Sequence, residues 1–269
     1  MVSFSGAMRI DKTLLLFANM VCLAALLLYP AGLSAEPARE ITRSSPYRSR
    51  IPAEVKQTIK LPPGGYHEGL FIKGGDIWVN NGRGINTWIV SLSEGKVTDE
   101  IVPPGTFSEG IIDSSFPDRY WISDWDTRKL YRVEILDGKM LPDMEISFDP
   151  ALPTGVTREG DRLFLITWTR GLGTRYHLHE IDKNGIVKRR MRIRGIPEPS
   201  QICWDGDYLW ITSWYNRRVY RIEPGSLEVT GHFTSPARDT TGIAWDGEYF
   251  WITGTRDDLY RVKVDRHAS

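Results

Sequence analysis

One phrase recurs five times along this chain: a small polar loop, a glycine or its substitute, an apolar strand, an acidic turn and an aromatic strand. The copies begin at Tyr66 (YHEGLFIKGGDIWV), Phe107 (FSEGIIDSSFPDRYWI), Pro153 (PTGVTREGDRLFLI), Pro199 (PSQICWDGDYLWI) and Thr240 (TTGIAWDGEYFWI). Equivalent apolar residues fall at Leu70, Ile111, Val156, Ile202 and Ile243, at spacings of 41, 45, 46 and 41 residues. β-rich units repeating about every forty residues predict a β-propeller, in which each unit is a four-stranded blade and one loop from every blade meets the axis.

The predicted blades run approximately over 66–105, 106–151, 152–197, 198–237 and 238–264. The last unit ends at Val264 without an outer strand, whereas Val55–Leu61 reads as an outer strand with no blade of its own. The segment LPPGGYHEGL from Leu61 aligns without gaps to VPPGTFSEGI from Val102. Pairing the early strand into the last unit closes the ring and removes the free edge that would invite association. The expectation is one all-β domain over 54–267, a five-bladed propeller.

The N-terminal part is separate. Arg9 and Lys12 precede an apolar run from Leu14 to Leu33, and small residues follow up to Ala35. Residues 1–35 read as an export signal cleaved near Ala35, with an uncleaved membrane anchor as the alternative. Either implies a periplasmic or extracellular propeller. Residues 36–53, rich in Arg, Ser and Pro, read as a flexible linker. Removing the signal would leave Cys203 as the sole cysteine, within an apolar strand, and exclude an intramolecular disulfide. The formal charge of zero gives no basis for nucleic-acid binding.

In a propeller, residues before the first strand and after the second strand of each blade meet on one rim. The first ring is His67-Glu68, Ser108-Glu109, Pro153-Thr154, Ser200-Gln201 and Thr240-Thr241. The second is Asn80-Asn81, Asp124-Trp125, Thr167-Trp168, Ser213-Trp214 and Gly254-Thr255. Core packing explains one aromatic per blade, such as Trp121, Trp210 and Trp251. It does not explain a second Trp where the strand runs into a loop, as in WISDW, FLITW and WITSW. Trp125, Trp168 and Trp214 are therefore candidate walls of a polar pocket, with packing between blades as the structural alternative. His67, Asn80, Asn81, Asp124 and Gln201 are candidate polar contacts.

Glu68 and Glu109 hold the same position in adjacent units and are the candidate acid–base residues. They could equally receive a ligand's amine. No metal or other cofactor is expected. The same oxygens, with Asn80, Asn81 and Asp124, leave a divalent cation as an alternative; His177 and His179 share a strand face but lack a third ligand.

At these residues the chain resembles the glutamine cyclotransferase family, the plant and bacterial glutaminyl cyclases. HEGLFIKGGDIWVNNG is similar to that family's opening phrase, and FSEGI from Phe107 resembles its FGEGI. ISDW and TSW, ending at Trp125 and Trp214, fall where the family has tryptophans. The resemblance spans Tyr66 to about Pro224 and implies metal-free cyclisation of N-terminal glutamine to pyroglutamate. The chain departs from the family at the expected catalytic carboxylate, where Val79 stands, and EPSQICW from Glu198 replaces another family stretch. A valine cannot transfer a proton.

Three functions therefore stand as expectations. The first is an exported propeller binding a small polar molecule or peptide N-terminus. The second is an enzyme, either a cyclase using Glu109 or a metal-assisted lactonase or hydrolase. The third is an interaction scaffold using surface segments such as Lys188–Arg194.

Overall fold

The computed structural model describes residues 39–43, 50–83 and 85–268. The signal or anchor read over 1–35 lies outside them. The described chain has twenty-one strands and no helix.

The strands are β1 (Glu40–Arg43) and β2 (Ala53–Lys60), followed by five consecutive groups. The first group is β3 (His67–Lys73), β4 (Asp76–Asn81), β5 (Asn86–Ser91) and β6 (Lys96–Ile101). The second is β7 (Ser108–Asp113), β8 (Arg119–Asp124), β9 (Lys129–Leu136) and β10 (Lys139–Ser147). The third is β11 (Leu152–Glu159), β12 (Arg162–Thr169), β13 (Arg175–Asp182) and β14 (Val187–Ile193). The fourth is β15 (Pro199–Trp204), β16 (Leu209–Ser213), β17 (Arg218–Ile222) and β18 (Glu228–Thr234). The last is β19 (Thr240–Trp245), β20 (Phe250–Gly254) and β21 (Asp258–Val264).

Each group is an antiparallel meander, and β2 supplies the last group's fourth strand, with Ala53 opposite Val264 and Lys60 opposite Asp258. The first strands are neighbours in cyclic order: β3, β7, β11, β15, β19 and back to β3. This is a β-propeller arrangement. Hydrophobic clusters lie between successive groups. Trp78, Trp121, Phe164, Trp210 and Trp251 occupy equivalent second-strand positions and are all buried in them. Burying side chains of this kind contributes about 1.5–3 kcal/mol each.

The glycine of the repeated phrase has a steric cause. A Cβ on Gly69 would lie 2.2 Å from the Glu109 carbonyl oxygen, and one on Gly242 would lie 2.3 Å from that of Glu68. First strands of adjacent groups thus approach too closely there for a side chain. The acidic turn is equally local. Asp205 Oδ1 accepts from the backbone N–H groups of Asp207 (2.9 Å) and Tyr208 (2.7 Å), and Oδ2 accepts from Trp210 Nε1 at 2.7 Å. Asp246 repeats the pattern with Glu248, Tyr249 and Trp251. Each Asp shapes the hairpin and satisfies the indole that the hairpin sends into the core.

Part of the stretch read as a linker is structured. β1 pairs in parallel with both β14 and β18, joining the third and fourth groups into one nine-stranded sheet. Ile41 is fully buried between those groups, and Ile51 is buried against the fourth and last. Polar composition concealed two apolar anchors ten residues apart.

Candidate functional site

A cavity of about 400 Å³ is built from the starts of the first strands and the residues just after the second strands. Its buried end carries Glu68, Glu109, Thr154, Ser200 and Thr241, one residue from each first strand. Around this floor stand Tyr66, Phe107, Trp125, Trp168 and Trp214. Asp126, Arg170 and Glu198 complete the lining. Both candidate acid–base residues and all three candidate wall tryptophans therefore face one space.

The walls are interlocked. Trp125 and Trp168 meet edge to face with centroids 5.6 Å apart, and Tyr66 meets Phe107 at 5.7 Å. Trp168 Nε1 donates to the Pro199 carbonyl at 2.6 Å, so this indole both lines the cavity and ties the third group to the fourth. Trp214 is the most exposed of the three, at 38%. The Arg170 guanidinium lies 5.2 Å from the centre of the Trp125 ring, and that of Arg83 lies 5.0 Å from the Tyr66 ring.

The remaining polar candidates hold the walls rather than line the cavity. The ladder pairs Asn81 with His67 and Asp124 with Ser108, so Asn81 and Asp124 are equivalent. The position that carries Trp in the next three groups is Gly82 in the first. A Cβ on Gly82 would meet the Phe107 ring at 2.7 Å, so Phe107 fills that part of the wall. The sequence alignment of Asn80-Asn81 with Asp124-Trp125 was one residue out of register. Asn81 Oδ1 accepts from the N–H of Tyr66 at 3.1 Å, and Asp124 Oδ2 accepts from the N–H of Phe107 at 2.7 Å. These two side chains fix the aromatics that precede the first strands. Asn80 donates to the Glu109 carbonyl at 3.1 Å and accepts from Thr87 at 2.8 Å, bridging two groups.

Gln201 is buried and reaches the site through Glu109, donating from Nε2 to Oε2 at 3.4 Å. It stands where the other four copies have glycine. His67 is fully buried outside the lining, 3.3 Å from Asp257 through Nε2, and burial holds its pKa below the ordinary value. The oxygens of Asn80, Asn81 and Asp124 are engaged within the protein, which does not favour their use as cation ligands. Val79 is buried in the core between the last and first groups.

The floor is an unusual electrostatic object. Glu68 and Glu109 are 2% and 6% exposed, and their carboxyl groups act directly on each other. Burial, then repulsion from Glu109, raises the Glu68 pKa well above the carboxylate range. Burial pushes Glu109 up to about 8, with the charges of Asp124 and Asp126 adding to it and the bonds from Glu68 and Gln201 opposing it. Two carboxyls this close cannot both ionise cheaply, so the pair retains a proton at neutral pH. Glu68 Oε2 has no hydrogen-bond partner although it is buried. The floor can therefore donate a proton, accept one, or receive an ammonium group.

Tyr66, Phe107, Asp126, Arg170 and Glu198 are the lining residues that the sequence reading missed. Tyr66 and Phe107 had a signal, since both are aromatics four residues before the aligned apolar position. Glu198 stands at the same repeat position, four residues before Ile202, but is not aromatic; Asp126 and Arg170 lie beyond the aligned ring positions.

No family model matches the sequence, and no curated protein matches it. Among solved structures, a glutaminyl cyclase from Myxococcus xanthus superposes with a TM-score of 0.64 at 15% identity, covering 86% of this chain and 99% of that one. A luciferin-regenerating enzyme superposes with a TM-score of 0.53 at 13% identity, covering 79% and 98%. At such identities the likeness carries the propeller fold alone.

Proposed function

We propose that this protein is an exported five-bladed propeller, related to glutamine cyclotransferases, that binds an amine-bearing small molecule or peptide N-terminus in its aromatic funnel. The observation that carries the reading is the carboxyl pair Glu68–Glu109 at the floor of an aromatic-walled cavity. Aromatic faces attract a desolvated cation, and a carboxylate pair receives its charge and hydrogen bonds. Thr154, Ser200 and Thr241 offer hydroxyl groups beside it. The cyclic neighbourhood of five first strands and the β2–β21 pairing support the blade count. Export rests on the apolar run from Leu14 to Leu33.

Tryptophan fluorescence of the full chain, titrated with glycinamide and with short peptides of free and acetylated N-terminus, tests the reading. Saturable quenching by the free amines alone, abolished in Trp125→Ala and Glu68→Gln, is expected. Equal responses to free and acetylated peptides would overturn it.

One observation favours a second reading, a working cyclase: Glu109 is buried at the cavity floor, and that burial pushes its carboxyl up to about 8. A group of that pKa can exchange protons in both directions near neutrality. Here the α-amine of an N-terminal glutamine attacks the side-chain amide carbon, forming the ring C–N bond. Glu109 takes the amine's proton and returns it to the departing nitrogen, which leaves as ammonia. Ammonia release from glutamine-initiated peptides, lost in Glu109→Gln, would establish this reading. Absence of release with binding intact would leave binding alone.

A further inference from the structure

A second concentration of charge lies on the two outer strands of the third group, on the far side of Tyr176 from the funnel's Trp168. Tyr176 pairs with Ile193, His177 with Arg192 and His179 with Arg190. Alternation along the two strands therefore puts Arg175, His177, Arg190 and Arg192 on one face. Arg175, Arg192 and the Glu40-paired Arg194 line a concavity of about 410 Å³ that also includes Thr174 and Tyr176. Neighbouring basic residues have carboxylate partners: Lys188 with Asp182, Arg189 with Glu180, and Arg194 with Glu40 at 2.9 Å. Among the described residues, no carboxylate forms an ion pair with Arg175, Arg190 or Arg192. Two carboxylates act on residues of the concavity: Glu40 pairs with Arg194, and the charge of Glu198 acts on Tyr176.

We propose that this concavity is an oxyanion site, in which Arg175 and Arg192 clasp a phosphate or sulfate group and Arg190 supports it from behind. Guanidinium groups present paired N–H donors that match tetrahedral oxyanions, and unpaired guanidiniums on one face repel each other until an anion arrives. His177 reports the resulting field. Arg190 Nη2 lies 3.2 Å from its Nδ1. Burial and then the charges of Arg190, Arg192 and Arg175 push the imidazole down to about 4. The ring therefore stays neutral and can accept the Arg190 N–H, leaving the remaining guanidinium donors for a ligand. The group could be a free anion or the headgroup of an anionic lipid, since both present the same oxygens.

Calorimetric titration of the full chain with inorganic phosphate, alongside flotation with phosphatidylglycerol and phosphatidylcholine vesicles, separates the sources. Saturable phosphate binding, weakened by about tenfold or more in Arg175→Gln/Arg192→Gln, is expected, because each lost charged hydrogen bond is worth that much. Flotation with the anionic vesicles only, lost in the same variant, would also support the site and would identify a headgroup as the source. The single variant Arg190→Gln guards against misfolding of the double one. It should weaken phosphate binding and shift the His177 ring protons in NMR. No binding by either probe, or binding unchanged in the double variant, would overturn the proposal.

Discussion

Glu68 and Glu109 come from the first strands of adjacent groups and bring two carboxyl groups together at the closed end of the cavity. The protein must hold a proton there to keep the pair buried. Both folded-state pKa values are raised, so the native state binds more protons than the unfolded chain above the ordinary carboxylate range. The stabilising contribution of this proton uptake is fully present below pH 4.5 and is lost as pH rises through about 8. The ligand-free protein should lose of the order of a few kcal/mol across that window. Glu109→Gln should flatten this limb, as read by thermal unfolding at a series of pH values. An unchanged limb in the variant would remove the proton-sharing pair from the account.

The tryptophans should separate into structural and ligand-facing roles. Trp168→Phe keeps a ring in the wall but deletes the bond to the Pro199 carbonyl. It should cost about 1–3 kcal/mol of stability. Trp214 is the exposed one. Trp214→Ala should change stability by no more than about 0.5 kcal/mol. Yet it should reduce quenching by amine ligands. Denaturant unfolding and fluorescence titration of both variants check this contrast.

The repeat was legible because its causes are local and periodic: the Asp-Gly hairpin, the buried aromatic that follows it, and the glycine required where first strands meet. Those same features bring Glu68, Glu109, Trp125, Trp168 and Trp214 to one cavity. The role of Asn80 was not legible, because strand register is a property of the ladder. Only the pairing of His67 with Asn81 shows that Gly82, not Asn81, stands in the tryptophan position. Arg170 and Asp126 carry no periodicity to read, and Glu198 shares the repeat position of Tyr66 and Phe107 without sharing their aromatic character. β1 was hidden by its brevity, since four residues among Arg, Ser and Pro make no strand pattern and its partners lie more than 140 residues away.

Acid should act on a different set of groups. Burial, followed by the charges of Arg190 and His177, lowers His179 to about 3, and the residue is 6% exposed. Its unfolded form binds a proton below about 6.5, whereas the native form does not. The stability it contributes is present above pH 6.5 and is lost as pH falls towards 3, by the order of a few kcal/mol. His179→Gln retains an amide that can bond to Thr167 and removes the titration. Its acid limb should be shallower than that of the parent, in unfolding curves recorded from pH 7 down to pH 3.

The short strand β1 should contribute stability out of proportion to its length. Its backbone satisfies the otherwise open edges of β14 and β18, and Ile41 fills the space between the groups that own them. Ile41→Ala leaves a cavity in that packing and should cost about 2–5 kcal/mol. Replacing Glu40 with Gln removes only the half-buried partner of the exposed Arg194 and should cost less than about 1 kcal/mol. Urea unfolding of the two variants measures the difference. Hydrogen exchange should locate the damage in the Ile41 variant, with faster exchange in β14 and β18 and unchanged protection in β4 and β8. Equal, small losses in both variants would mean that β1 covers the third and fourth groups without holding them together.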